Sequence, residues 1–188
     1  DYTVFDKYVE LCAECGIDRY INCFSMVPWD MSFRYWDEAT ADYKYVQTNT
    51  STEAYRELWT SFLTAFKAHL VEKGWFEKTN IALDERAEAD MLNAYAIAGD
   101  LGFNMALAGN YHSSLCDKFR DLCAQLGQEH QFSAATIAER RAKGWVTTFY
   151  TSCANAEPNI YSNSLPAEAA YLPIYAAKMN LDGYLHWA

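Results

Sequence analysis

The chain has 188 residues, of which 51% are hydrophobic and 16% aromatic, enough apolar material for one sizeable core in too little length for two full domains. Its 25 acidic and 15 basic residues give a formal net charge of -10, so the surface would repel phosphate backbones and anionic lipid head groups. We therefore expect neither nucleic acid nor a membrane as a partner, and no stretch approaches the roughly 18 uninterrupted apolar residues of a membrane span.

The first part of the chain predicts a helix, a strand, an excursion and a second helix. Residues 5–14 carry apolar side chains at helical spacing, and residues 18–24 carry them in one bunch after a helix-ending glycine, which indicates a helix followed by a strand. At about residues 30–49, two aromatic-rich runs flank a turn-like segment, as is typical of a β-hairpin. A helix is expected at residues 52–73, because a capping box precedes it and a glycine follows it.

From residue 75 onward, short β-rich runs alternate with helical runs. The strands are expected at residues 79–83, 104–108, 129–133, 145–151 and 182–187. The helices are expected at residues 86–101, 113–126, 135–143 and 166–179. Strands separated by helices of this length predict an α/β fold with a parallel sheet.

The strand count favours an incomplete barrel over an open sheet. No glycine-rich phosphate loop follows any strand, which disfavours an open dinucleotide-binding sheet. A (β/α)8 TIM-type barrel has eight strands in typically about 250 residues, whereas this sequence predicts six strands. We therefore expect residues 1–188 to form a single partial (β/α) barrel, truncated to about strands 3 to 8, with the hairpin as an excursion. The missing strands and flanking domains would belong to a longer parent chain.

In such a barrel the active site lies at the carboxyl ends of the strands. Polar or aromatic residues follow five predicted strands, at residues 29–30, 84–85, 110–112, 150–152 and 186–187. Asp84 and Glu85 are the most informative, because both carboxylates come directly after a strand. The same residue types also cap helices, and the two interpretations do not exclude each other.

The predicted rim carries carboxylates, aromatic rings and amides together, as sugar binding would demand. Two carboxylates adjacent in sequence cannot easily straddle a glycosidic bond, however, because neighbouring strand residues point to opposite faces. The substrate-assisted variant of glycoside hydrolysis fits better, since its nucleophile is the oxygen of the substrate's own 2-acetamido group. One acid would then steady the acetamido nitrogen and the other would protonate the leaving oxygen.

Three segments resemble the catalytic domain of glycoside hydrolase family 123, and the resemblance covers essentially the whole chain. They are residues 81–86 (Ile-Ala-Leu-Asp-Glu-Arg), residues 149–153 together with Pro158 and Asn159, and residues 182–188. Members of that family are β-N-acetylgalactosaminidases that carry an Asp-Glu pair after the fourth barrel strand and work by substrate assistance. The resemblance implies a retaining glycosidase that removes terminal β-linked N-acetylgalactosamine from a glycan or glycolipid. With two strands missing upstream, the strand count also places the acid pair after a fourth strand.

The resemblance implies that Asp84 orients and stabilises the acetamido group and that Glu85 is the general acid and base. Tyr150 and Tyr161 are candidate donors to the acetamido carbonyl oxygen, and Trp187 is a candidate floor for the sugar ring, since aromatic rings cover apolar faces. Each of these three aromatic residues could equally belong to the core, where large aromatic side chains usually lie.

Asn110, His112 and Asn159 are further candidates for substrate binding. The first two lie where a βα loop is expected, although a lone histidine there is as often a helix N-terminal residue as a ligand. The histidines are scattered without metal-ligand spacing, so neither a metal nor a cofactor is expected.

Two other functions stay open from the sequence. A β-N-acetylglucosaminidase could use the same acid pair, because the residues that read the 4-hydroxyl epimer are not identifiable. An inactive carbohydrate-binding barrel would suit the aromatic hairpin, but the intact pair argues against it. The compartment is left open.

Overall fold

The computed structural model describes residues 1–186, and within them it contains five α-helices and eight strands. The helices are α1 (Thr3–Glu14), α2 (Glu53–Glu72), α3 (Glu88–Asp100), α4 (Ala134–Ala142) and α5 (Pro166–Lys178). The strands are β1 (Ile21–Cys23), β2 (Ser32–Asp37), β3 (Asp42–Gln47), β4 (Thr79–Leu83), β5 (Asn104–Gly109), β6 (Asp121–Gln125), β7 (Val146–Thr151) and β8 (Gly183–His186).

Six strands form one all-parallel sheet in the order β1-β4-β5-β6-β7-β8. The sheet is curled, because Asn22 of β1 and Leu185 of β8, on strands at its opposite edges, line the same cavity. Because all six strands run parallel, their carboxyl ends point to the same rim. The predicted α/β class is thus confirmed as a curled, six-stranded half-barrel.

The main core lies between the convex face of the sheet and the helices. The strand side chains of this core are those of Ile81, Leu83, Met105, Leu107, Leu122, Ala124 and Phe149. The main helix side chains against them are those of Leu63, Phe66, Leu70, Met91, Ala94, Ile97, Leu172 and Ala176. On the concave face a small cluster of Ala108, Cys123 and Tyr150 is also buried. Burial on both faces explains why the inner strands read as continuous apolar runs.

Strands β2 and β3 form an antiparallel hairpin, which follows β1 in the chain. Its inner face packs on α2, where the Phe33 ring meets the Trp59 ring edge-on with centroids 5.5 Å apart. Its base is tied to the loop after β1, because Gln47 Nε2 donates to the Asp30 carbonyl oxygen at 2.7 Å. The hairpin therefore stands on the rim formed by the carboxyl ends of the sheet.

The helix predicted at residues 113–126 is wrong. Only Ser113–Leu115 forms a single 3₁₀ turn, and Asp121–Gln125 is strand β6. Carbonyl groups that a helix would need for its own hydrogen bonds are instead bonded by the guanidinium of Arg140. Arg140 donates to the carbonyl oxygens of Cys116, Phe119 and Arg120. A long-range contact of this kind overrides local periodicity.

The strand predicted at residues 129–133 is wrong for a related reason. β6 already fills the place between β5 and β7, so the sheet has no position for a strand after it. Residues Glu129–Gln131 form a 3₁₀ turn, and Ser133 caps α4 by accepting from the Thr136 amide at 3.0 Å. The predicted number of parallel strands is right, but the strand predicted to begin at residue 129 begins eight residues earlier, at Asp121.

The sheet has two open edges within residues 1–186, because β1 pairs only with β4 and β8 only with β7. Beside β1, helix α1 exposes the apolar side chains of Val4, Tyr8 and Leu11. No helix in the described part of the chain combines the length and apolar character that crossing a bilayer requires.

Arg140 gives a direct test of this packing, because its side chain is buried and also donates to Thr147 Oγ1 and the Val146 carbonyl. Arg140→Met should lower the melting temperature by roughly 5–10 °C, since it leaves several buried acceptors without donors, at about 1–3 kcal/mol each in the worst case. Arg141→Met, on the exposed side of the same helix, should change it by no more than about 2 °C. Equal melting temperatures for the two variants would contradict this role of Arg140.

Candidate functional site

The acid pair lies at the rim, directly after the fully buried strand β4. Helix α3 begins only at Glu88, and its N-cap is Ala87, whose side chain makes no capping hydrogen bond. Neither Asp84 nor Glu85 therefore caps this helix, which removes the capping interpretation. The two carboxylates lie in a short connection whose conformation is fixed by contacts on both sides.

Glu85 is held from the sheet. The hydroxyl of Tyr150, which is buried at the end of β7, donates to Glu85 Oε1. Burial, followed by the contact with the Glu85 carboxylate, raises the pKa of Tyr150 above its ordinary value. Tyr150 therefore stays protonated and remains a donor for Glu85.

Gly109, the last residue of β5, lies against the backbone of Glu85. A Cβ atom at Gly109 would be 3.2 Å from Glu85 Cα and 3.3 Å from Glu85 N, which is tighter than ordinary van der Waals contact. The absence of a side chain lets the two connections approach this closely. Gly109 thus belongs to the site, although nothing in the sequence distinguishes it from other glycines.

Asp84 is held by a different kind of partner. Its Oδ2 accepts a hydrogen bond from Arg86 Nη2 at 3.0 Å, and its Oδ1 lies 2.9 Å from Arg86 Nε. The Nε hydrogen is donated elsewhere, to the Val27 carbonyl oxygen at 2.6 Å. Asp84 Oδ1 is therefore buried beside a positive charge without receiving a hydrogen bond from any described residue.

Burial raises the pKa of Asp84, the neighbouring Arg86 guanidinium opposes this rise, and the Glu85 carboxylate adds to it. The side chain of Asp84 is only 16% exposed. The site therefore holds a carboxylate that is partly removed from water and whose charged form is favoured by the neighbouring guanidinium and by a backbone hydrogen bond.

Trp29, in the loop after β1, covers the guanidinium of Arg86. The Arg86 guanidinium carbon lies 3.4 Å from the centroid of the Trp29 ring, which is a cation–π contact. Trp29 itself is 75% exposed, which is unusual for so large a ring. Trp29 is recognisable in the sequence because it follows a predicted strand. Arg86 is not, since its only signal is its position directly after the acid pair.

Asn110 and His112 lie on the same rim, in the loop after β5. Asn110 Oδ1 accepts from Gln128 Nε2 at 2.7 Å, and His112 Nδ1 lies 3.7 Å from Glu88 Oε2. His112 Nε2 is buried without a hydrogen-bond partner in the described part of the chain. Both residues therefore lie in the loop that follows Gly109. There, Asn110 is hydrogen-bonded to Gln128, and His112 lies close to Glu88.

The residues predicted after β7 and β8 form a separate group. Asn159 is buried, and its Nδ2 donates to the carbonyl oxygens of Ser152 and Asn155, both at 2.9 Å, so this amide holds the β7 loop together. The Tyr161 ring packs edge-on against the His186 ring at the end of β8, with centroids 4.9 Å apart. Trp187 lies outside the described residues.

The described residues contain no group of three or more histidine, cysteine or acidic side chains placed to bind a metal ion. What the rim presents is a pair of carboxylates in different surroundings, one beside a guanidinium and the other beside a phenol. Such a pair can divide the tasks of charge stabilisation and proton transfer.

Two comparisons with known proteins found matches. The family model described as "Glycoside hydrolase 123, catalytic domain" matches residues 1–188. The fold is similar to that of a family 123 glycoside hydrolase from Clostridium perfringens, whose structural analysis concerned glycolipid glycan hydrolysis, with a TM-score of 0.90 and 29% sequence identity. That match covers 100% of this chain and 35% of the other, so this chain spans about a third of its length.

No curated protein matches the chain in sequence. The family model nevertheless covers every residue, and the structural match is above the level at which only the fold is shared. The chain belongs to glycoside hydrolase family 123, as part of its catalytic domain.

Proposed function

We propose that this chain provides the catalytic centre of a glycosidase that removes terminal β-linked N-acetylgalactosamine from a glycan or glycolipid. The proposed reaction is substrate-assisted and retains the anomeric configuration. The observation that carries the proposal is the difference in partners between the two adjacent acids: an arginine on Asp84 and a tyrosine on Glu85. Family membership and the glycolipid glycans of the similar enzyme support it.

Asp84 suits the role of the acid that stays ionised. A guanidinium can only donate hydrogen bonds, so Arg86 favours the carboxylate form. The Asp84 side chain is only 16% exposed, so its carboxylate gains from a further hydrogen that a ligand supplies. The N–H of a 2-acetamido group would supply it, and the carboxylate would stabilise the positive charge that develops on that nitrogen.

Glu85 suits the role of the acid that exchanges a proton. A hydroxyl can donate to a carboxylate and accept from a carboxylic acid, so the contact with Tyr150 serves both protonation states of Glu85. Glu85 would protonate the leaving oxygen as the acetamido oxygen bonds to the anomeric carbon. It would then take a proton from the water that opens the oxazolinium ring.

The remaining candidates keep their proposed roles around this pair. Tyr150 can donate to the acetamido carbonyl oxygen only if its hydroxyl leaves Glu85, so we assign it first to positioning Glu85. Tyr161 remains a candidate donor to that oxygen and Trp187 a candidate floor for the sugar ring. Asn110, His112 and Asn159 remain candidates for substrate contact, with Asn159 the least accessible because it is fully buried.

We also propose that the half-barrel is six strands of a TIM-type (β/α)8 barrel in one catalytic domain. The open edges of β1 and β8 and the exposed apolar face of α1 would be covered by two further βα units. Closure removes unpaired strand edges. Flanking domains in the full-length protein are consistent with the share of the similar enzyme that this chain covers.

The division of roles predicts that substitutions of the two acids differ in kind. Glu85→Gln should lower the rate on natural glycans by about 100- to 10,000-fold, yet lose much less on aryl glycosides whose leaving group needs no proton. Asp84→Asn should lose activity on both, because charge stabilisation is required whatever group leaves. Steady-state kinetics of both variants on a series of leaving groups would measure this. Parallel losses across the series would refute the assignment.

A second prediction concerns the substrate. Aryl β-N-acetylgalactosaminide should be hydrolysed, whereas the matching 2-hydroxy galactoside should scarcely turn over, because it lacks the internal nucleophile. A thiazoline analogue of the cyclic intermediate should bind roughly 100-fold or more tighter than substrate. Including the N-acetylglucosaminide as a control tests the choice of epimer. Comparable turnover of the 2-hydroxy sugar would contradict substrate assistance, and no turnover of any of them would indicate a binding protein.

A further inference from the structure

We propose that Arg86 is a positioning residue that fixes the orientation of the Asp84 carboxylate, through a hydrogen bond to Oδ2 and a close contact with Oδ1. The inference rests on the proposed function and names a residue that acts through Asp84. It is carried by the set of contacts formed by Val27, Trp29, Asp84 and Arg86, called here the arginine clamp.

The first step of the argument is the direction of the Arg86 donors. Nε has one hydrogen, and it is committed to the Val27 carbonyl oxygen at 2.6 Å. Nη2 donates to Asp84 Oδ2 at 3.0 Å. The planar guanidinium thus contacts the carboxylate through one hydrogen bond, while its Nε lies 2.9 Å from Oδ1 without donating to it.

The second step is the rigidity of the clamp. The Arg86 side chain is only 7% exposed, and the ring of Trp29 lies on its guanidinium. Val27 is buried as well, and Tyr55 of α2 donates to the neighbouring Met26 carbonyl oxygen at 2.8 Å. The loop after β1 is therefore tied to the core, and it holds the guanidinium in one orientation.

The third step is that lysine could not replace this geometry. An ammonium is a point charge with freely rotating donors, whereas the guanidinium places its donors in a fixed plane. A lysine at position 86 would keep a positive charge near Asp84. It would not reproduce the simultaneous contacts with the Val27 carbonyl oxygen and with both oxygens of Asp84.

The fourth step concerns the charges around Asp84. The groups that face it are the Arg86 guanidinium, the Glu85 carboxylate and, beyond Glu85, the neutral Tyr150 hydroxyl. Arg86 lowers the pKa of Asp84, whereas burial and Glu85 raise it. Without Arg86 the pKa of Asp84 must rise, so the ionised form would be lost at a higher pH than in the unmodified protein.

The test uses the full-length protein with Arg86→Gln and Arg86→Lys. The pH dependence of kcat/KM gives the acid limb of activity, and ¹³C NMR of labelled aspartate, assigned with Asp84→Asn, gives the titration of Asp84 without relying on turnover. For Arg86→Gln we expect the Asp84 titration and the acid limb to move together to higher pH. Activity near pH 7 should fall by about 100-fold, mainly in kcat, the scale of a small misplacement.

Arg86→Lys should keep the Asp84 titration closer to that of the unmodified protein but still lose about 10-fold or more in kcat, because charge alone does not fix the orientation of the carboxylate. Arg141→Gln is the matched control, since Arg141 also pairs with an aspartate, Asp182, at 2.8 Å but on the exposed surface. It should change neither the Asp84 titration nor the activity. If Arg86→Gln is not folded, as judged by its melting curve, Arg86→Lys and Trp29→Ala carry the test.

The inference is overturned if Arg86→Gln leaves the titration of Asp84 at the original pH, or if Arg86→Gln and Arg86→Lys lose activity equally with an unchanged pH profile. Failure of the proposed function would look different. The unmodified protein would then turn over no N-acetylhexosaminide, while the NMR titration of Asp84 would still report on the clamp.

Discussion

The burial of Asp84 is the constraint on which the arrangement of the rim depends. A carboxylate removed from water is expensive unless a cation and hydrogen bonds compensate it, and here the compensation comes from Arg86, two residues along the chain. Arg86 is itself buried and needs its own acceptor, which is the Val27 carbonyl in the loop after β1. One buried charge thus ties β4 to the neighbouring edge of the sheet.

Glu85 is fixed by contacts with strands that lie on the other side of β4 from β1. Tyr150 reaches it from β7, two strands beyond β5, and Gly109 of β5 leaves room for its backbone. The curl of the parallel sheet makes these contacts possible, because it brings the carboxyl ends of β4, β5 and β7 to one rim. Adjacent acids therefore acquire different surroundings from different strands. A difference of this kind between two acids is what the proposed division into charge stabiliser and proton donor requires.

The sequence predicts the parallel sheet and the position of the acid pair because both depend on local patterns. β4 is an apolar run followed at once by Asp84 and Glu85. The connection between β5 and β7 was predicted wrongly because its conformation depends on Arg140, which bonds carbonyl groups 20 and more residues away in the chain. Periodicity over a short window carries no information about such a contact.

The same limit applies to the site. Asp84 and Glu85 stand out in the sequence, whereas Arg86 and Gly109 acquire their roles only through contacts across the rim. The roles proposed for Tyr161, Asn110 and His112 remain predictions, since their contacts in the structure are with neighbouring side chains. Residues that act through a neighbour are the hardest to recognise from a single sequence, because their chemistry is set by geometry.

The most direct measurement is a crystal structure of the full-length protein with the thiazoline analogue bound. The account predicts the protonated thiazoline nitrogen within about 3 Å of a carboxylate oxygen of Asp84, with that carboxylate still bonded to Arg86 and the Glu85 carboxyl group on the side of the departing oxygen. A thiazoline nitrogen that contacts no oxygen of Asp84, or a sugar ring bound away from the carboxyl end of β4, would contradict it.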